Sequence, residues 1–168
     1  GDRFPNTLRI AVFAFLLANL FGITVGTLAA VFRGKWIDSF LMTFEVIFIS
    51  APNFWMALIF QLIFGLYLGV LPISGLESWK HYILPVLTIG MRLSASISRF
   101  TRTAMLEVVR QDYVRTARAK GLNEFVVIAK HAFRNALIPI ITISAMQFGS
   151  LLSGSMLVEN VFTIPGLG

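Results

Sequence analysis

The sequence predicts an all-α, polytopic transmembrane helical bundle, and three observations carry that reading. Of the residues, 57% are hydrophobic and only 13% charged, with a mean hydropathy of +0.80, well outside the range of soluble globular chains. Runs without any charge recur at lengths close to the roughly 20 residues a helix needs to cross the hydrocarbon. The basic residues behind the formal charge of +6 gather between such runs instead of spreading along the chain. In a soluble chain that charge would suggest nucleic acid. In a membrane chain it sets orientation, so the lipid bilayer is the expected partner and nucleic acid is not. The absence of cysteine removes disulfides and Cys-based metal or redox sites.

The first charge-free run extends from Ile10 to Phe32, which places a first span at residues 8–32. Its small residues Ala18, Gly22, Gly26 and Ala30 recur every fourth position, on one face where another helix backbone can come close, and helix packing accounts for them. Arg33, Gly34 and Lys35 form a short basic turn, and Asp38 with Ser39 offers an N-cap to the next helix. The second span, residues 40–71, is longer than a bilayer requires and contains Pro52 in "ISAPNFW". Proline removes one helical hydrogen bond and clashes with the preceding turn, so a kink or short break is expected there. The stretch "GVLPISGLESWKHYILP" reads as an exposed loop with an interfacial anchor, and a third helix begins near Ile83.

The third span, residues 83–106, is interrupted by Arg92 and by Ser94, Ser96 and Ser98 before the pair Arg99 and Arg102, so this helix must face protein or water. Arg92 lies roughly nine residues inside it, where a lone guanidinium is costly unless it meets a partner, a cavity or the interface. Ser96, Arg99 and Thr103 share its face. Two roles are open for Arg92. It could pair with a carboxylate such as Glu45 or snorkel outward, or it could contact solute in a translocation pathway together with Ser96 and Gln147. The fourth span, residues 136–158, is uncharged, with a polar side of Ser144, Gln147, Ser150, Ser153 and Ser155.

Orientation follows from the basic residues. Arg33 and Lys35 follow the first span, and the stretch from Arg99 to Arg134 is net +5, so both segments are expected on the cytoplasmic side. The loop from Ser74 to Lys80 and both chain ends, Gly1 and Gly168, then lie outside. Within the basic stretch, residues 107–135, Asp112 can cap a helix of about two turns that Gly121 ends as a left-handed residue. Arg118 and Lys120 fall in its last turn, where the helix dipole favours cations. Asn123 and Glu124 begin a second helix, whose Phe125, Ile128, Ala129, Ala132, Phe133 and Ala136 keep the spacing of one buried face, with Lys130, His131 and Arg134 opposite. A short helix, a glycine corner and an amphipathic helix feeding a span form an elbow suited to docking a partner.

The stretches "DYVRTARAKGL", "KHAFRNALIPII", "SAPNFW", "SRFTRTAMLEVVRQDY" and "VENVFTIPGLG" together resemble the inner-membrane permease subunits of binding-protein-dependent ABC transporters, in particular the oligopeptide, dipeptide and nickel branch. They cover most of the chain in the family's order. The resemblance implies that the elbow is the EAA loop, whose coupling helix sits in a groove of a cytoplasmic ATPase subunit. Of that loop's general pattern, Gly121 matches, while Arg115, Thr116 and Ala117 stand in place of EAA. His131, Ala132, Phe133 and Arg134 stand where I-x-L-P falls, and the RTARAKG form is similar to the peptide and nickel branch's own variant. The ATPase-coupling residues are then Tyr113, Val114, Arg115, Thr116, Ala117, Arg118, Ala119, Lys120 and Gly121. Tyr113, Val114 and Ala117 are spaced as apolar anchors of one face, with Arg115 and Arg118 beside them.

The same resemblance implies the core of one ABC importer permease domain, in the cell inner membrane, with a further helix before Gly1 and a further span after "IPGLG". The chain is therefore expected to be a truncated domain that does not transport alone. Implied partners are a second, similar permease, two cytoplasmic ATP-binding subunits and an extracytoplasmic solute-binding protein. ATP binding would close the ATPase pair, pull on the elbow and switch the permease pair between inward- and outward-facing states. Peptide, nickel and glutathione importers share these motifs, and the sequence does not choose among their solutes.

Two other classes compete with this one. A membrane hydrolase would need a nucleophile beside a base, or a metal cluster, and only His81 and His131 are present, on opposite sides in this topology. No G-x-x-x-x-G-K-[ST] loop is present either, so catalytic residues, a metal and cofactors are not expected, and ATP hydrolysis falls to partner subunits. A passive channel or membrane scaffold would suit the serine-lined helices but has no need of a docking elbow.

Overall fold

The structure, a computed structural model, describes residues 3–166. The expectation for the chain ends concerns Gly1 and Gly168, which lie outside the described residues. Six helices account for most of the chain: α1 (Arg3–Val31), α2 (Trp36–Ser50), α3 (Asn53–Tyr67), α4 (Ile83–Val109), α5 (Asp112–Ala119) and α6 (Glu124–Val161). α3 ends in a π-helical turn, Gln61–Tyr67, and α6 contains another, Val127–Ala132. Among the described residues there is no strand.

α4 is the hub. It packs along α1, and also against α2, α3 and α6. Four charged side chains, Arg92, Arg99, Arg102 and Glu107, make it the least apolar of the long helices; Arg102 is partly buried against Asp38, and the other three are exposed. Its contact with α1 is very close. Ala18, Gly22 and Gly26 are buried on the α1 side, and a Cβ added at Gly22 would lie 2.8 Å from Ser94 O. At Gly26 it would run into Ser98 O and stand 2.6 Å from Thr101 Cβ. Ala29, not Ala30, takes the next buried place, because a four-residue step drifts off the 3.6-residue turn and a three-residue step restores it. From the opposite side, a Cβ added at Gly90 would lie 2.8 Å from Leu17 Cδ2. Ser94 and Ser98, spaced four apart from Gly90, are therefore packing residues of the seam.

The second span is not one continuous helix. α2 and α3 are bent by 106° at Ala51 and Pro52. Both residues are extended, with ψ of 131° and 145°, because the ring of Pro52 drives Ala51 out of the helical region and Pro52 has no N–H to continue the ladder. By length and composition α1 and α6 can cross a membrane, and the bent pair adds a third candidate if taken as one. α4, at 27 residues, is long enough but too polar to pass on composition.

Polar side chains tie the helices at both ends. Arg102 forms two 2.8 Å bonds to Asp38, whose Oδ2 also accepts from Gly34 N at 3.1 Å. Lys35, and not Asp38 or Ser39, is the N-cap of α2, because the Asp38 carboxylate reaches back over the turn and across to α4. At the other end, Thr7 donates to the buried Glu159 at 2.6 Å, and Asn6 donates to Pro165 O at 3.2 Å. Gln61 bonds Ile73 O and Val161 O, and Gly75 N bonds Phe162 O at 3.3 Å, so the loop before α4 is stitched to the end of α6. The exposed loop with an interfacial anchor read from the sequence thus carries a 3₁₀ turn, Trp79–Tyr82, with Trp79 exposed and α4 starting at Ile83.

Candidate functional site

The elbow forms from local rules. Gln111 caps α5, so Asp112 is its first helical residue and not its cap, and the Asp112 carboxylate stands exposed 4.0 Å from Arg115. Gly121 has φ of +77°, the left-handed conformation that turns the chain without cost to a residue lacking Cβ. Asn123 then accepts from Phe125 N at 2.9 Å and starts α6. Arg118 bridges the corner, donating to Glu124 at 2.7 Å.

The two faces of α5 divide differently from the sequence expectation. Val114 and Ala117 are buried against Val127 at the start of α6, with Val108 of α4 alongside, so they anchor the helix to its own bundle and are not free to enter a partner. The physical reason is that an amphipathic helix joined to two others by short turns buries its apolar stripe on the nearest apolar surface, which here is its own. The outward face consists of Tyr113, Arg115, Thr116, Arg118, Ala119 and Lys120, all exposed, with exposed Gly121 at its end.

The buried stripe of α6 also shifts. Val127, Ala132, Ala136 and Ile140 face inward, with a first step of five residues that reflects the π-helical turn. Phe125 is 78% exposed. Of the expected buried face, Ala132 and Ala136 are buried and Ile128 and Phe133 pack partly against them, while Phe125 and Ala129 are exposed; Phe125, Ile128, Ala129 and Phe133 also line an apolar groove against Ile23 and Leu28 of α1. A strict 3.6-residue period could not reveal the extra residue.

The other site lies between α2, α3, α4 and α6. Arg92, Ser96 and Gln147 come together in a cavity of about 320 Å³, with Ile49, Asn53 and Leu93 among the other lining residues. Gln147 donates to Ser96 Oγ at 2.9 Å. A second cavity of about 380 Å³ shares Ile49 and Ser96 with the first and adds Arg99, Phe100 and Thr103, so the polar stripe read along α4 borders both cavities. Arg92 does not pair with Glu45. The Glu45 carboxylate is buried and accepts from Ser98, and Asp38 belongs to Arg102, leaving Arg92 without an ion pair among the described residues. Asn53 was not singled out in the sequence. Its Oδ1 is buried and has no hydrogen-bond partner among the described residues.

A family model described as the binding-protein-dependent transport system inner membrane component matches residues 22–168. Over its 168 residues the chain is 47% identical to the glutathione transport system permease protein GsiC of Salmonella typhimurium strain LT2 and 46% identical to the protein of that name from Escherichia coli strain K12. The matches take in 100% of this chain and 55% of each relative, so the chain spans about half the length of the curated relatives it matches. A crystal structure of an amino acid ABC transporter with histidines covers 99% of the chain, and is itself covered to 72%, with a TM-score of 0.76 at 17% identity, a likeness of fold.

Proposed function

Because this chain belongs to the inner membrane components of binding-protein-dependent transport systems and has the all-α permease fold of an ABC transporter, we propose that it lines the membrane path of an ATP-driven importer for peptide-like solutes and is driven through the elbow. The observation that carries the proposal is the division of α5: an inner face fixed to the bundle by Val114 and Ala117, and an exposed outer face from Tyr113 to Lys120. Such a helix is a handle, since a partner gripping the outer face moves whatever the inner face holds. The inner face holds Val108, at the end of α4, and Val127, in the first turns of α6. α4 and α6 supply Arg92, Ser96 and Gln147 to the cavity, so displacement of α5 reaches the path through two rigid helices.

In this reading α1, the bent α2–α3 pair, α4 and α6 occupy the inner membrane, with the basic segments on the cytoplasmic side and the Glu159 end outside. A second permease subunit completes the path, two ATP-binding subunits receive the elbows, and an extracytoplasmic binding protein delivers solute. The relatives are named for glutathione transport, and glutathione, a tripeptide with two carboxylates, is the first solute to test. The chain itself would carry out no hydrolysis.

The test uses the full-length permease co-expressed with its ATP-binding subunits. Thr116→Trp keeps every charge and the buried face of α5 while placing bulk on the outer face. Membrane insertion should be unchanged, co-purification of the ATP-binding subunits should be lost, and ATP-dependent glutathione uptake should fall to background. Normal co-purification and uptake would refute docking through this face.

A further inference from the structure

We infer that the cavity between α2, α3, α4 and α6 is a binding site for the carboxylate of a peptide-like solute, with Arg92 as the carboxylate-binding residue and Ser96, hydrogen-bonded to Gln147, as a second donor. The inference rests on the importer reading above and adds to it a recognition chemistry within the membrane.

Charge is the first argument. Arg92 lies roughly nine residues into α4, about 14 Å along the axis at the helical rise, near the middle of a hydrocarbon layer about 30 Å thick. A guanidinium there requires an anion or water, and among the described residues no carboxylate lines either cavity. The two carboxylates nearest to hand in the sequence reading are committed elsewhere, Glu45 to Ser98 and Asp38 to Arg102. A planar guanidinium with five N–H donors matches a carboxylate in a two-bond geometry that no neutral solute reproduces.

Hydrogen bonding gives the second argument. Gln147 donates to Ser96 Oγ, which fills an acceptor position on that oxygen and leaves its own hydrogen free to donate to a solute. Two kinds of donor side by side, a guanidinium and a hydroxyl, are the complement of a carboxylate, the group at the C-terminus of a peptide. Ile49 and Leu93 supply apolar wall for a side chain. The volume of about 320 Å³ is at the lower end of small-molecule sites, which run from roughly 300 to 1,000 Å³, and the adjoining cavity lined by Arg99 extends it.

The experiment uses the full-length transporter, with its second permease, ATP-binding subunits and binding protein, in proteoliposomes. Uptake of glutathione and of dialanine is compared with uptake of their C-terminal amides, for the wild type, Arg92→Gln and Arg92→Lys. The binding protein is the same in every assembly, so its own preference cancels when acid-to-amide ratios are compared between variants. Arg92→Gln should lower the ratio by about tenfold, the loss of one charge-assisted pair. Arg92→Lys should recover part of the ratio. An unchanged ratio in Arg92→Gln overturns the inference and leaves the importer reading intact. Equal loss of acid and amide uptake with loss of stimulated hydrolysis in both variants also overturns it, in favour of a structural role for Arg92. A wild-type assembly with neither uptake nor stimulated hydrolysis would instead sink the importer reading, and the inference with it.

Discussion

The seam between α1 and α4 and the elbow at Gly121 both depend on glycine, for opposite reasons. At Gly26 the backbone angles are ordinary for a helix and the space is missing, since a Cβ would press on Ser98 O and Thr101. At Gly121 the space is open, with nothing within 4 Å of an added Cβ, and the backbone angle is the constraint, at φ of +77°. The seam therefore resists change through packing against backbone, which cannot move without moving a helix, whereas the elbow resists only through local conformation. One region is built to hold two membrane helices in a fixed relation and the other to set the angle of an exposed handle. A transporter of the proposed kind needs both: a rigid pair to transmit displacement, and a corner whose angle is defined without burying the surface a partner must grip.

The most severe way to break this comparison is Gly26→Ala in the full-length permease. One methyl group there meets backbone on the facing helix, and overpacking of that kind costs about 3 kcal/mol when the neighbour cannot yield. Gly22→Ala should cost less, about 1–2 kcal/mol, because its closest contact, Ser94 O at 2.8 Å, is looser than the approach of Ser98 O and Thr101 Cβ at Gly26. Melting in detergent and accumulation in the membrane should rank wild type, Gly22→Ala, Gly26→Ala from most to least stable. Equal tolerance of both would mean that α1 and α4 do not approach this closely.

The contrast also explains which features were legible in the sequence. The elbow obeys rules of chain-local chemistry, so its two turns, the left-handed Gly121 and the Asn123 cap could be read directly. The α1 side of the seam was legible from the spacing of Ala18, Gly22 and Gly26. Its α4 side was not, because Ser94 and Ser98 also suit a polar face, and only the position of α1 decides that they pack while Ser96 lines the cavity. Arg92, Ser96 and Gln147 could be grouped, since a mid-span cation demands polar company. Asn53 joins them only through the 106° bend, of which Pro52 predicts the existence but not the size. The inward turn of Val114 and Ala117 was hidden for a related reason: an apolar stripe does not state whether its own chain or another will cover it.

A smaller effect is expected at the elbow, where Gly121 variants sharpen the comparison by separating conformation from volume. Gly121→Val forces a β-branched residue into the left-handed region at a cost of about 1–2 kcal/mol, with no contribution from contact because the site is open. Gly121→Asn adds more atoms than alanine but tolerates that conformation, so it should be milder than Gly121→Ala. Uptake and co-purification of the ATP-binding subunits should therefore follow the order Asn, Ala, Val from least to most impaired, with membrane insertion unchanged. An order that follows side-chain size instead would place a steric neighbour at this corner and remove the distinction from Gly26.

The smallest effect belongs to Arg118→Ala, and its smallness is the point. Arg118 and Glu124 bridge the elbow at 2.7 Å, but their side chains are 41% and 57% exposed. An exposed pair gains little because water screens the attraction and two long side chains lose freedom to hold one geometry, so it contributes about 0.2–1 kcal/mol. If backbone conformation and the Val114–Val127 contact set the angle of α5, Arg118→Ala should lower stability by no more than that. Raising the ionic strength should shrink even this difference between variant and wild type, since salt screens charges at the surface. The double variant Arg118→Ala with Glu124→Ala then isolates the pair from the helix propensity of either residue, and the coupling should stay below about 1 kcal/mol. A coupling that rivals the cost of Gly121→Val, and persists in high salt, would make the elbow an electrostatic clasp. Gly121 would then be a passenger at the corner, and the two regions would differ in charge more than in the use they make of glycine.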